Sequence, residues 1–261
     1  MNAKDEKQLQ ETFPWQRATF HTAYNEVLAR YKVESCLEHA GGDSLLDLAC
    51  GDGMLTALFA RHFRTVVGVD ASSRHLTEAR ARVPGATFHE SLIEDFESDQ
   101  RFGSVFLLDL LEHVNDPVSV LAKAASFLEP GGRLIVHVPN CEAVNRKIAV
   151  LMGTLSSCDE LSPFDLQIAG HRRSYVLESL RRDIEQAGLK VLETGGIFYK
   201  MLSTPQMDWF LKNGLWDSGH GWGRTGMEKD RDWRAEFCRA CYEYGKDHPE
   251  DCNIIYACVA R

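Results

Sequence analysis

The chain is 261 residues long, 44% hydrophobic and 26% charged, the make-up of a globular protein with material for one large domain or two small ones. Charges break each apolar run well before the ~18–20 residues of a membrane span, and 38 acids against 29 bases, a formal net charge of −9, argue against sequence-independent binding to a phosphate backbone. The opening MNAKDEKQLQ lacks the apolar core of a secretory leader, so the eight dilute cysteines are expected as reduced thiols of a cytoplasmic protein and not as a disulfide frame.

In chain order, Phe20, Tyr24, Val27, Leu28 and Tyr31 fall on one stripe of a helix that Gly41-Gly42 stops. From there to about residue 140 strands and helices alternate. Apolar runs predict strands at 44–49, 65–70, 86–89 and 104–109, with helices at 54–63 and 72–82 between them. Asp116 and Pro117 open a further helix running to Leu128, and Pro130-Gly131-Gly132 turns the chain into a strand over 133–138. Strands apolar throughout and separated by helices imply a parallel sheet covered on both faces. Beyond it, the pattern predicts a helix at 174–187 ended by Gly188, a strand at 189–193, helices near 206–211 and 230–244, and a closing strand at 253–259. The four glycines of DSGHGWGRTGMEKD predict a loop. No second-domain boundary is evident, and the 141–170 and 196–250 stretches read as insertions decorating one sheet.

The strongest chemical signal is DLACGDG, Asp47–Gly53, between a strand and a helix. Glycine there lets the backbone approach a ligand, and the helix N-terminus offers free N–H groups at the edge where open α/β sheets bind nucleotides. Asp70 ends the next strand, where a carboxylate can accept both ribose hydroxyls of an adenosine. A dinucleotide such as NAD would need a third glycine where Thr56 stands, and Asp52 sets a negative charge where a pyrophosphate would sit. A ligand with an amino group and no phosphate suits the turn better.

With VVGVD, LLDLLEHVNDP and LEPGGRLIVHVPN, this turn makes residues 44–140 resemble the class I S-adenosylmethionine-dependent methyltransferases, the broad group of ubiquinone-type and sugar- or natural-product-type enzymes. The resemblance implies a Rossmann-like, doubly wound α/β sheet of seven strands, mostly parallel with an antiparallel last strand, and helices on both faces. It implies one domain over 1–261: a helical cap (1–43), a cofactor-binding core (44–140) and acceptor-side insertions with the last helices and strands (141–261). Asp47, Ala49, Gly51 and Gly53 would shape the methionine end of S-adenosylmethionine and Asp70 would hold its ribose. Leu108 and Asp109 would lie near the amino group. The family often places an acid near the adenine amino group, and here Leu92 takes that position, so Leu92 and Ile93 would hold adenine by backbone and apolar contact, with Glu94 as the alternative acid.

Transfer to a hydroxyl or an ammonium needs a base, and histidine has the suitable pKa. His113 follows the fourth strand at the sulfonium end of the cleft, where it either acts or orients the loop beside Glu112 and Asn115. His171, in AGHRRSYVLESL, resembles the family's GHxRxF/Y element at the acceptor rim and is the leading candidate base; capping of the following helix is the competing reading. Arg172, Arg173 and Tyr175 of that element, Asn140 after the fifth strand, and His220 and Trp222 of the glycine-rich loop are candidate acceptor contacts, against which salt bridges, core packing and a plain surface loop are the alternatives. Trp15, Arg17, His21 and Tyr24 belong to a segment that in this family folds over the cleft. His137 reads as a buried strand histidine. A metal is not expected: Cys238, Cys241, Cys252 and Cys258 read as small buried hydrophobes because the second pair sits awkwardly on a strand for a closed zinc site. The implied activity is methyl transfer from S-adenosylmethionine to oxygen or nitrogen of a small molecule, by a monomer or homodimer that binds no nucleic acid. The rivals are a tRNA or protein methyltransferase, whose NPPY-like tetrapeptide is missing, and a non-enzymatic S-adenosylmethionine-binding module.

Overall fold

In the computed structural model, which describes residues 7–8, 22–216 and 231–261, the apolar runs become β1 (Ser44–Leu48), β2 (Thr65–Asp70), β3 (Thr87–Glu90), β4 (Phe102–Leu108), β5 (Leu128–Pro139), β6 (Lys190–Tyr199) and β7 (Cys252–Ala260). They form one sheet in the order β3-β2-β1-β4-β5-β7-β6. β1 to β5 are parallel, and β7 runs antiparallel between β5 and β6. This is the expected doubly wound sheet with an antiparallel last strand. All strands except β7 therefore end at one edge, and the order reverses beside β1 and β4, where such sheets open a ligand crevice.

Helices α1 (Ala23–His39), α2 (Met54–Phe59), α3 (Ser73–Arg82), α4 (Pro117–Ser126), α5 (Val144–Leu151), α6 (Leu177–Gln186), α7 (Thr204–Asn213) and α8 (Trp233–Asp247) flank the sheet. Their starts follow capping chemistry: Thr22, Ser72 and Asp116 accept the backbone N–H three residues on, and Pro117 takes the first turn of α4. Strand alternation sorts the core into two layers. Leu46, Leu48, Val105, Leu107, Leu134, Val136, Ile255 and Ala257 pack with Val120, Leu121, Leu180 and Ile184 of α4 and α6. Leu45, Phe106, Ile135 and Cys258 face the other way, against Val33 and Cys36 of α1 and Phe59 of α2. A satellite cluster joins Tyr24, Leu28 and Tyr31 of α1 to Phe198, Met207, Leu211, Cys238, Cys241 and Tyr242. Among the described residues no helix is long and apolar enough to cross a membrane.

The departures from the expected elements have local causes. α2 stops at Phe59 because Phe63 must turn back into the core layer of β1 and β4. β5 begins at Leu128, opposite Phe102, and rejoins β4 with Arg133 opposite Ser104, so Pro130-Gly131-Gly132 bulges out of one strand. β6 continues through Gly195-Gly196 to Tyr199, because the Tyr256 ring and the Cys252 sulfur press on those positions and leave no room for a Cβ. α6 starts at Leu177 and not at 174, since Tyr175 bridges to Asn140 at the end of β5 and its hydroxyl donates to Asp183. Within the 141–170 insertion α5 leads to a single π-type turn, Asp165–Ala169.

Candidate active site

Two cavities open at the carboxyl edge of the sheet, and they meet at Asp109 and His113, which line both. The smaller, about 250 Å³, is bounded by the glycine turn after β1, the ends of β2 and β3, and the loop after β4. Ala49, Gly51, Asp70, Leu92, Ile93 and Asp109 all line it, as does Glu94. Asp70 is fixed: one carboxylate oxygen accepts the Gly51 N–H at 2.9 Å, and the other accepts the Ser72 N–H at 2.9 Å with His75 Nδ1 3.5 Å away. Ala49 and Asp109 both adopt left-handed backbone, φ 61° and 54°, a strained conformation for residues with a Cβ that functional sites retain. Gly51 shares that conformation and faces open space.

Asp47, Gly53 and Leu108 lie elsewhere than the sequence reading set them. Asp47 is buried beneath the turn, accepts the Thr56 hydroxyl at 2.6 Å, and is outside both cavity walls. Burial, resisted by that hydroxyl, raises its carboxyl to about 7. Gly53 packs α2 on α3, where a Cβ would stand 3.0 Å from Ala79 Cα. Leu108 is core on the α1 face of the sheet. Asp52, whose negative charge the sequence sets where a pyrophosphate would sit, is paired with Arg82 at 2.8 Å. An ion pair with Lys32 of α1 anchors Asp109; burial pushes its carboxyl up, but the Lys32 ammonium prevails and holds it below the usual range.

The larger cavity, about 730 Å³, lies between α1, the end of β5, α5, the π-type turn and the start of α7. His113 and His171 meet here edge to face, ring centres 5.0 Å apart. The Gly170 carbonyl, 3.2 Å from His113 Nδ1, accepts its proton. Burial, then the neighbouring His171, lowers His113 to about 4. His171 Nδ1 lies 3.5 Å from Asp165, and burial lowers its pKa against the pull of that carboxylate. Asp165, missed in the sequence, is itself held by Arg146 at 3.0 Å and by the Ser162 N–H and hydroxyl at 2.8 and 2.7 Å. Six residues before His171 in an irregular segment, it carries no motif signal; only the π-type turn folds it back.

Of the other predicted acceptor contacts, Asn140 and Arg173 line the larger cavity while also bonding to the scaffold. Asn140 donates to the carbonyls of Pro249, Glu250 and Cys252 and accepts the Glu142 N–H, so its side chain ties the end of β5 to the turn before β7. Arg173 lines the cavity, yet it donates to the carbonyls of Leu111, Val114 and Asn115. Arg172 holds the Asn115 side chain. Tyr175 is buried on the α6 side and lines neither cavity. His220, Trp222, Trp15, Arg17 and His21 lie outside the described residues. His137 is buried in β5 with Nε2 3.6 Å from Cys36 Sγ. Cys238, Cys241 and Cys252 gather near α8, whereas Cys258 belongs to the opposite end of β7. The grouping nearest to a cation site among the described residues is Glu112, His113 and His171, with one ligand atom each within 4.8 Å of the others. Burial, reinforced by Asp109, raises the Glu112 carboxyl, and neither of its oxygens has a hydrogen-bond partner among the described residues.

Residues 20–194 match the family described as a methyltransferase domain. The ubiquinone biosynthesis O-methyltransferase of Coxiella burnetii is 29% identical over 169 residues, 62% of this chain and 69% of the relative. That of Alkalilimnicola ehrlichii is 33% identical over 125 residues, 46% of this chain and 51% of the relative. Among solved structures, an S-adenosylmethionine-dependent methyltransferase from Mesorhizobium loti aligns with a TM-score of 0.57 at 16% identity, covering 90% of this chain and 98% of that one, a likeness that speaks to the fold alone.

Proposed function

The chain belongs to the methyltransferase-domain family as a class I S-adenosylmethionine-dependent enzyme, and from that premise we propose that it methylates an oxygen or nitrogen of a small molecule held in the larger cavity. The observation that carries this reading is the junction of the two cavities at Asp109 and His113: a ligand in each would meet there. The smaller cavity fits the cofactor. Its fixed carboxylate, Asp70, suits a ribose diol; the left-handed turn at Ala49 and Gly51 leaves open space for an extended amino-acid tail; Leu92 and Ile93 offer an apolar wall to a base.

When bound, S-adenosylmethionine supplies a methyl group already activated by a sulfonium, so the protein's task is to position the acceptor and take its proton. His171 is the proposed base. Its lowered pKa keeps the imidazole neutral at neutral pH, Asp165 sits beside Nδ1, and Nε2 is left to receive the acceptor's proton. Asp165 then stabilises the imidazolium. His113, its Nδ1 proton held by the Gly170 carbonyl, meets His171 edge to face and fixes the ring.

Incubation with methyl-labelled donor and a panel of catechols, amino sugars and hydroxy acids tests the proposal. Label should appear on oxygen or nitrogen of one class. Label found only on carbon, on tRNA or on protein would overturn it.

A further inference from the structure

Four cationic side chains line the larger cavity, and three of them are answered. Lys32 pairs with Asp109, Arg146 with Asp165, and Arg173 donates to three backbone carbonyls. Lys200 is different. It directly follows β6 at the same sheet edge and is only 5% exposed, yet among the described residues it has no carboxylate partner. Its ammonium meets the Thr204 hydroxyl at 3.0 Å and the face of the Tyr24 ring, 5.2 Å from the centroid. A buried cation without a counter-charge is costly, and it persists where a ligand completes it.

We propose that Lys200 recognises a carboxylate on the methyl acceptor, which makes the substrate class hydroxy or amino acids with a largely apolar body. This rests on the methyltransferase reading for the word acceptor, though not for the binding itself. The cavity favours a carboxylate over a doubly charged phosphate, because Asp109 and Asp165 already answer Lys32 and Arg146 and one ammonium head is left to accept charge. Ala149, Leu155, Phe164 and Ile254 supply the apolar wall. The groups facing Lys200 come from every element around it: Tyr24 and Lys32 of α1, Arg146 of α5, Asp165 of the π-type turn and Thr204 of α7. Burial first, then repulsion by Arg146, with Asp165 opposing and Lys32 adding to the repulsion, lowers its pKa to about 7. A carboxylate ligand therefore both pairs with Lys200 and draws a proton onto it.

Benzoate and its neutral isostere benzamide are the probes, titrated by ligand-observed NMR into protein with and without S-adenosylhomocysteine. Benzoate should bind about tenfold or more tightly than benzamide, the preference one charge-assisted hydrogen bond supplies. Lys200→Met should bring the two within about twofold, and Lys200→Arg should keep most of the preference. Calorimetry at pH 8 in buffers of different ionisation enthalpy should show benzoate binding take up nearly one proton in the wild type and almost none in Lys200→Arg, whose guanidinium is always charged. A merely structural lysine would give no such uptake. Equal binding of the probes, binding of neither, or a preference that survives in Lys200→Met overturns the proposal. S-adenosylhomocysteine affinity, expected within twofold of wild type in Lys200→Met, reports separately: failure of the wild type to bind it would sink the methyltransferase reading while the benzoate result still judged Lys200.

Discussion

Replacing Asp70 by alanine removes one carboxylate with two separable duties. Toward the protein, it accepts the N–H groups of Gly51 and Ser72, each at 2.9 Å. Each such bond contributes about 1 kcal/mol net, so the variant should lose about 2 kcal/mol of stability. For a chain of this size that corresponds to roughly 4–8 °C in Tm. Toward the ligand, the carboxylate would accept the ribose hydroxyls, and loss of charge-assisted bonds of about 1.5–3 kcal/mol weakens S-adenosylhomocysteine about 10- to 150-fold. Calorimetric titration well below the lowered Tm separates the two effects, and Asp70→Asn, which keeps the shape and one acceptor, should fall between. If Asp70→Ala melts several degrees lower yet binds S-adenosylhomocysteine within twofold of wild type, Asp70 is only a staple of the glycine turn and the ribose assignment is refuted.

His171→Asn should lower turnover about 10²- to 10⁴-fold, the usual contribution of a general base, while S-adenosylhomocysteine affinity stays within twofold; loss of cofactor affinity would show that the histidine holds the cleft together instead. Because burial lowers its pKa, the acid limb of the pH–rate profile at saturating acceptor should lie below the ordinary histidine range, and an acid limb centred at or above pH 7 would contradict the assignment. Asp47, raised to about 7, binds a proton more tightly folded than unfolded, so its ionisation costs stability as pH climbs from about 4 to 7 and the cost is complete above that. Asp47→Asn, which keeps an acceptor for Thr56, should therefore gain on wild type by several kcal/mol between pH 5 and pH 8 in urea unfolding; a pH-independent difference would mean Asp47 is not buried as a neutral acid. Gly53→Ala sets a Cβ 3.0 Å from Ala79 Cα at φ 76°, so it should destabilise by about 1–3 kcal/mol without abolishing cofactor binding. Tight binding lost in a fully folded variant would assign Gly53 to the cleft after all.

The central strands were the most legible part of the chain, because a strand buried on both faces is apolar at nearly every position and needs no partner to be recognised. Asp70, Gly51 and Ala49 were legible for a related reason: the strand that ends before each fixes its place at the sheet edge. Gly195-Gly196 misled because glycine ordinarily weakens a strand, and the Tyr256 ring and Cys252 sulfur that require it there arrive from a strand far along the chain. Asn140, Arg173 and Tyr175 have the right chemistry at the right edge, but the hydrogen bonds of Asn140 and Arg173 close onto carbonyls brought up by distant segments, and that of Tyr175 onto Asp183 of the helix that follows. Asp165 and Lys200 stand in segments without periodicity, and their meaning comes only from what surrounds them: one braces His171, the other is buried without a carboxylate partner among the described residues.

Calorimetric titration of ligand-free protein with S-adenosylmethionine, S-adenosylhomocysteine and NAD tests the central claim most directly. The account predicts micromolar binding of both sulfur nucleosides at one site per chain and none of NAD. Binding of NAD, or of none of the three, would contradict it and leave the sheet without the cofactor assigned to its edge.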